Sequence, residues 1–78
     1  IATAVYPNPA SQYVSVRLPP SMTQAHVDIF SSDGRQVYNG TFTTGGQTEV
    51  PLNGVLPGIY FVTVATDRWK ETHRLVVE

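Results

Sequence analysis

Apolar and polar residues alternate with period two over most of this chain, and a helical period is almost absent. Val14, Val16 and Leu18 share one side of the run from Tyr13 to Leu18, with Tyr13, Ser15 and Arg17 on the other. Ala25, Val27 and Ile29 oppose His26, Asp28 and Phe30 in the same way. Such alternation describes strands with one face on a core and one toward solvent. Gly and Pro interrupt the pattern at short intervals and leave no window long enough for a helix.

A first strand is expected over Ala2 to Tyr6, stopped by Pro7 and Pro9, neither of which has an N–H to give to a ladder. The run from Tyr13 to Leu18 follows and ends at Pro19-Pro20. A third strand spans Ala25 to Phe30. Ser31-Ser32-Asp33-Gly34 reads as a hairpin turn, because Asp-Gly accepts the positive φ angles that tight hairpins demand. The antiparallel return runs from Arg35 to Phe42. Gly45-Gly46 marks another turn before a short strand around Thr48 to Leu52, and Asn53-Gly54 and Pro57-Gly58 bracket a loop. The run from Ile59 to Thr66 opens Ile-Tyr-Phe-Val-Thr-Val, all β-branched or aromatic, and is the strongest strand signal in the chain. Thr66-Asp67-Arg68 turns into a final arm from Trp69 to Val77. Six to seven short strands at regular spacing predict an all-β fold, a small antiparallel immunoglobulin-like β-sandwich. Residues 1–78 form one domain.

Composition narrows the chemistry. The chain has no cysteine, which removes disulfides and thiolate metal sites. Its core must come from the 41% of residues that are apolar. A formal net charge of −1 presents no basic face and argues against nucleic acid or anionic lipid as the main partner. Charged residues are only 14%, and Thr, Ser, Gly and Pro are plentiful, as in many exported β domains. The chain opens at Ile1 without an initiator Met, and its apolar runs are far shorter than a membrane span. This predicts a piece of a longer precursor, with any export signal upstream.

No Gly-x-Ser-x-Gly elbow and no phosphate-binding glycine loop occurs in the sequence. His26 and Asp28 share a strand face, but two ligands fall short of the three or four that zinc needs. His73 faces the same way as Leu75 and Val77 and reads as a rim residue. Asp33 reads as a turn former beside Gly34, and Glu49 and Glu71 have no carboxylate partner at a useful spacing. A packed sandwich of this size leaves little room for a ligand pocket. The reading is non-enzymatic, with no cofactor and no metal. Trp69, flanked by Arg68 and Lys70, is a candidate ligand contact by stacking, against the plainer role of covering one end of the core.

Three signals in fixed order carry a resemblance. The first is Tyr6-Pro7-Asn8-Pro9-Ala10-Ser11 ahead of a strand. The second is a strand, Asp33-Gly34-Arg35, and a strand beginning Gln36-Val37-Tyr38. The third is Leu52, Leu56 and Pro57-Gly58-Ile59-Tyr60-Phe61-Val62, then a strand ending Arg74-Leu75-Val76-Val77. From about Ala4 to Glu78 the chain resembles the C-terminal sorting domain of type IX secretion. The resemblance implies a small β-sandwich that directs a parent protein from the periplasm across the outer membrane to the cell surface. It implies recognition by an outer-membrane translocon and a shuttle protein, and in many cargoes removal by a cell-surface sortase that joins the cargo to an anionic lipopolysaccharide. Family members often carry a Lys where this sequence has Arg74, which keeps the charge but not the geometry.

The residues expected to serve sorting are Tyr6, Pro7, Asn8 and Pro9 at the junction, Pro57, Gly58 and Tyr60 at the central strand, and Arg74, Leu75, Val76 and Val77 at the end. For Tyr60, Leu75 and Val77, core packing is the competing role. Recognition is expected to use the last two strands, through an exposed edge that adds to a partner's sheet. The alternative reading is a non-catalytic cell-surface module that binds a glycan or a partner protein through Trp69 and exposed tyrosines.

Overall fold

In a computed structural model, described over residues 3–18, 24–43 and 46–78, the chain is carried by seven strands. They are β1 (Ala4–Tyr6), β2 (Tyr13–Leu18), β3 (Ala25–Ser31), β4 (Gln36–Phe42), β5 (Gly46–Pro51), β6 (Gly58–Ala65) and β7 (Lys70–Val77). No helix occurs among the described residues. The expected breaks at Pro19-Pro20 and Gly45 lie outside them, and Gly46 begins β5 instead of sitting in a turn.

Two antiparallel sheets form, in the orders β1-β2-β5 and β4-β3-β6-β7. Three strands facing four is the arrangement of the immunoglobulin-like sandwich, here without its cysteine pair. Alternation decides which side chains meet between the sheets. Val14 and Val16 of β2 and Val50 of β5 lie opposite Val27 and Ile29 of β3, Val62 and Val64 of β6 and Leu75 of β7, all with no exposed surface. Fully burying each such side chain contributes about 1.5–3 kcal/mol, so this small set supplies most of the driving force. The one buried polar side chain among the described residues is Ser15, whose hydroxyl accepts from Gln47 Nε2 at 3.4 Å.

The turn between β3 and β4 closes where expected. Gly34 N–H donates to the Ser31 carbonyl at 2.9 Å, and Ser31 N–H to the Arg35 carbonyl at 2.8 Å. Only Gly34 takes a positive φ, +91°, so Asp33 does not share the conformation expected of an Asp-Gly pair. Its carboxylate instead accepts from the Ser31 hydroxyl, and that bond is the largest influence holding the Asp33 carboxyl below its ordinary value. Asp33 is a turn former. His26 and Asp28 share the outer face, 3.2 Å apart, with Thr41 Oγ1 on His26 Nδ1 at 2.9 Å and Gln36 Nε2 donating to Asp28 at 2.9 Å.

Candidate functional site: a strap on the terminal strand

β7 is the edge strand of the four-stranded sheet. On its inner side it pairs with β6, matching Gly58 with Val77, Ile59 with Val76, Tyr60 with Leu75 and Phe61 with Arg74. On its outer side lies the segment that follows β1. Pro7 and Pro9 have no N–H and cannot pair as a strand would. Both X-Pro bonds, Tyr6–Pro7 and Asn8–Pro9, are cis.

Asn8, between the two prolines, replaces the missing ladder with its side chain. Its Nδ2 donates to the Arg74 carbonyl and its Oδ1 accepts from Val76 N–H, each at 3.0 Å. Ala10 then continues with backbone groups, donating to the Val76 carbonyl and accepting from Glu78 N–H, both at 2.8 Å. This makes a parallel bridge between Ala10 and Val77. Four successive groups on the outward edge, from the Arg74 carbonyl to Glu78 N–H, are thereby satisfied. Ala10 is buried as it crosses, so the strap also plugs the open side of the core.

The strap has a second anchor upstream. Thr3 N–H and Thr3 Oγ1 both donate to Glu71 Oε1, at 3.2 and 2.6 Å. Thr3 Oγ1 also lies 2.7 Å from His73 Nε2, which is itself 3.4 Å from Glu71 Oε1. The Thr3 hydroxyl is the first cause that holds the Glu71 carboxyl below its ordinary value; partial burial opposes it, and the Thr3 N–H and His73 add to it. His73 is half-buried on the Leu75 side of β7, in the rim position expected of it.

The three sequence signals do not contribute equally to this end of the molecule. Tyr6 to Pro9 form the strap, with the Tyr6 hydroxyl donating to Gln47 Oε1 at 2.8 Å. Arg74 to Val77 are the strapped strand, and Pro57, Gly58 and Tyr60 lie at the start of its partner. Gly58, the first residue of β6, has a φ of +157°, a conformation that residues with a side chain rarely adopt. Tyr60, Leu75 and Val77 are buried, and the Tyr60 hydroxyl donates to the Leu56 carbonyl at 2.5 Å. The Asp33-Gly34 turn closes the β3–β4 hairpin at the same end of this sheet, since Ser31 pairs with Tyr60 and Tyr60 with Leu75, but it makes none of the strap's bonds. Trp69 precedes β7 at its opposite end, roughly 25 Å from Val77 along the strand. It is half-buried against the core, beside a turn in which Thr66 Oγ1 accepts from Arg68 and Trp69 N–H at 3.1 and 3.2 Å.

One expectation needs correction. Sequence alone predicts an exposed β7 edge that accepts a partner's strand, but from Arg74 to Glu78 the strap already holds it. The reason lies in Asn8, whose amide offers one donor and one acceptor at the spacing of a backbone. Ala10 stands in the first sequence signal without a role of its own, and Thr3 stands outside all three signals. Their contacts reach across most of the chain, and no local pattern announces those partners. An open hollow of about 360 Å3, lined in part by His26, Thr41 and the Thr66-Asp67 turn beside Trp69, includes none of the strap residues. The described residues contain no group of three or more His, Asp or Glu placed to hold a metal ion.

The chain is a β-sandwich whose opening and closing segments lock together along its last strand. Over residues 4–78 it matches, and belongs to, the secretion system C-terminal sorting domain family. It is a C-terminal sorting signal of type IX secretion, which marks proteins for passage across the outer membrane to the cell surface or beyond. No curated protein matches the chain.

Proposed function

We propose that the signal is the composite end of the sandwich, in which Tyr6, Pro7, Asn8 and Pro9 fix the strand from Arg74 to Val77 against Pro57, Gly58 and Tyr60. Residues 1–78 act as one module at the end of a longer precursor. Its work is recognition, without a catalytic step. The outer-membrane translocon and its shuttle protein read the folded end, and a cell-surface sortase can then join the cargo to anionic lipopolysaccharide. The observation that carries this reading is the double bond of Asn8 to Arg74 and Val76, which unites the junction motif with the closing motif. Tyr60, Leu75 and Val77 support the site from the core, and Arg74 offers the exposed charge.

The test is delivery. A periplasmic reporter fused to residues 1–78 should reach the surface of a host with type IX secretion and stay periplasmic in a strain without the translocon. Removing Trp69 to Glu78 should trap it in the periplasm. Normal surface delivery of that truncation would refute the proposal.

A further inference from the structure

With the edge of β7 closed along Arg74–Glu78, what the four-stranded sheet leaves open there is its outer face. At the strap end that face is apolar. Phe30 of β3 pairs with Phe61 of β6, Phe61 with Arg74 of β7, and Ile59 with Val76. Ile59 and Phe61 are 41% and 37% exposed, and Phe30 and Val76 are half-buried beside them. The other end of the same face is polar, with Asp28 paired to Thr63 and Thr63 to Thr72. Cross-strand contact between the two phenylalanines stabilises the sheet. It does not explain why Ile59 and the outer surface of Phe61 stand in water where the far end uses threonine.

Charge indicates what covers the patch. Arg74 is exposed within it, and among the described residues no carboxylate lies within 4.0 Å of its guanidinium. The nearby acid on this face, Asp28, is occupied by Gln36 and His26. Apolar anchors around an unpaired Arg are the composition of an interface centre rather than of an ordinary solvated face. The strap bears on the same two residues, because Asn8 holds the backbone of Arg74 and Val76 whose side chains stand on the patch.

We infer that this face, centred on Phe61 and Arg74, docks a protein surface of the export machinery that presents an apolar centre and a carboxylate opposite Arg74. The inference rests on the sorting function proposed above and adds the mode of contact: face packing in place of strand addition. The test uses the reporter fusion, with surface exposure read by protease accessibility and folding by thermal melts of each purified variant. The double variant Ile59→Ser/Phe61→Ser should stay folded and lose surface delivery about tenfold or more. Arg74→Glu, a fold-neutral change at an exposed site, should lose delivery, and Arg74→Lys should keep most of it. Tyr13→Ser, on the other sheet, should deliver normally.

Folded face variants that reach the surface like the parent, while removal of Trp69 to Glu78 still blocks it, would overturn the inference and leave the sorting function standing. Failure of the unaltered fusion would overturn both. A dimer in sedimentation velocity that the Ile59→Ser/Phe61→Ser change dissolves would mean that a second copy covers the face, and would also overturn the inference.

Discussion

Replacing Asn8 by Ala should free the terminal strand on its outer side without unfolding the sandwich. The amide joins the Arg74 carbonyl and Val76 N–H, each at 3.0 Å, and Asn8→Ala removes both bonds at once. A protein hydrogen bond contributes about 0.5–1.5 kcal/mol net, and these two are exposed, so water recovers part of each. The expected loss is about 1–1.5 kcal/mol. In a domain of this size, 1 kcal/mol moves the melting midpoint by roughly 4–8 °C, so the midpoint should fall by roughly 4–12 °C. Amide exchange adds a local readout: Val76 N–H should lose protection, while Val62 and Val64 in the adjacent strand keep theirs. A midpoint within about 1 °C of the parent, with Val76 still protected, would show that Asn8 holds nothing that water does not.

Two further outcomes follow from the same end of the molecule. Gly58→Val should destabilise by about 1 kcal/mol or more, because a β-branched residue resists the φ of +157°. The nearest obstacle to an added Cβ is Tyr60 at 3.8 Å, an ordinary contact, so an unchanged melt would refute the backbone argument itself. Thr3→Val should raise the Glu71 titration midpoint measured by carboxyl NMR, since the Thr3 hydroxyl is what chiefly lowers it. A carboxyl lowered in the folded state contributes stability above the ordinary carboxylate range and loses it as pH falls through the folded value. The stability gap between parent and Thr3→Val should accordingly be present at neutral pH and narrow in acid; a gap that is constant with pH, with an unmoved Glu71 midpoint, would contradict the assignment.

The strands were legible because each carries its own signal. Tyr13–Leu18 matches its expected bounds, and β3, β4, β6 and β7 differ by one residue at an end or at both. Burial of Tyr60 and the covering role of Trp69 also followed from their neighbours. β5 was placed two residues late at its start, because Gly46 reads as a turn residue, while its pairing with Leu18 of β2 keeps it in the ladder. The Tyr6-Pro7-Asn8-Pro9 segment was legible as a stiff motif and a sorting signal, but not as a strap on β7. That Asn8 faces Arg74 and Val76 depends on how two sheets stack, and local periodicity carries no information on that. The same limit hid the outer patch: alternation sets Ile59 and Phe61 on one face, but only the pairing of β6 with β3 and β7 brings Phe30, Arg74 and Val76 beside them.

The bonds made by Asn8 close over 66 and 68 residues, and those of Thr3 over 68 and 70. Within this domain the strap is synthesised before the strand it fastens. A chain broken anywhere before Arg74 carries the whole Tyr-Pro-Asn-Pro segment yet has nothing to fasten it to. A receptor that reads the fastened form therefore inspects the cargo for completeness at the moment it inspects it for identity.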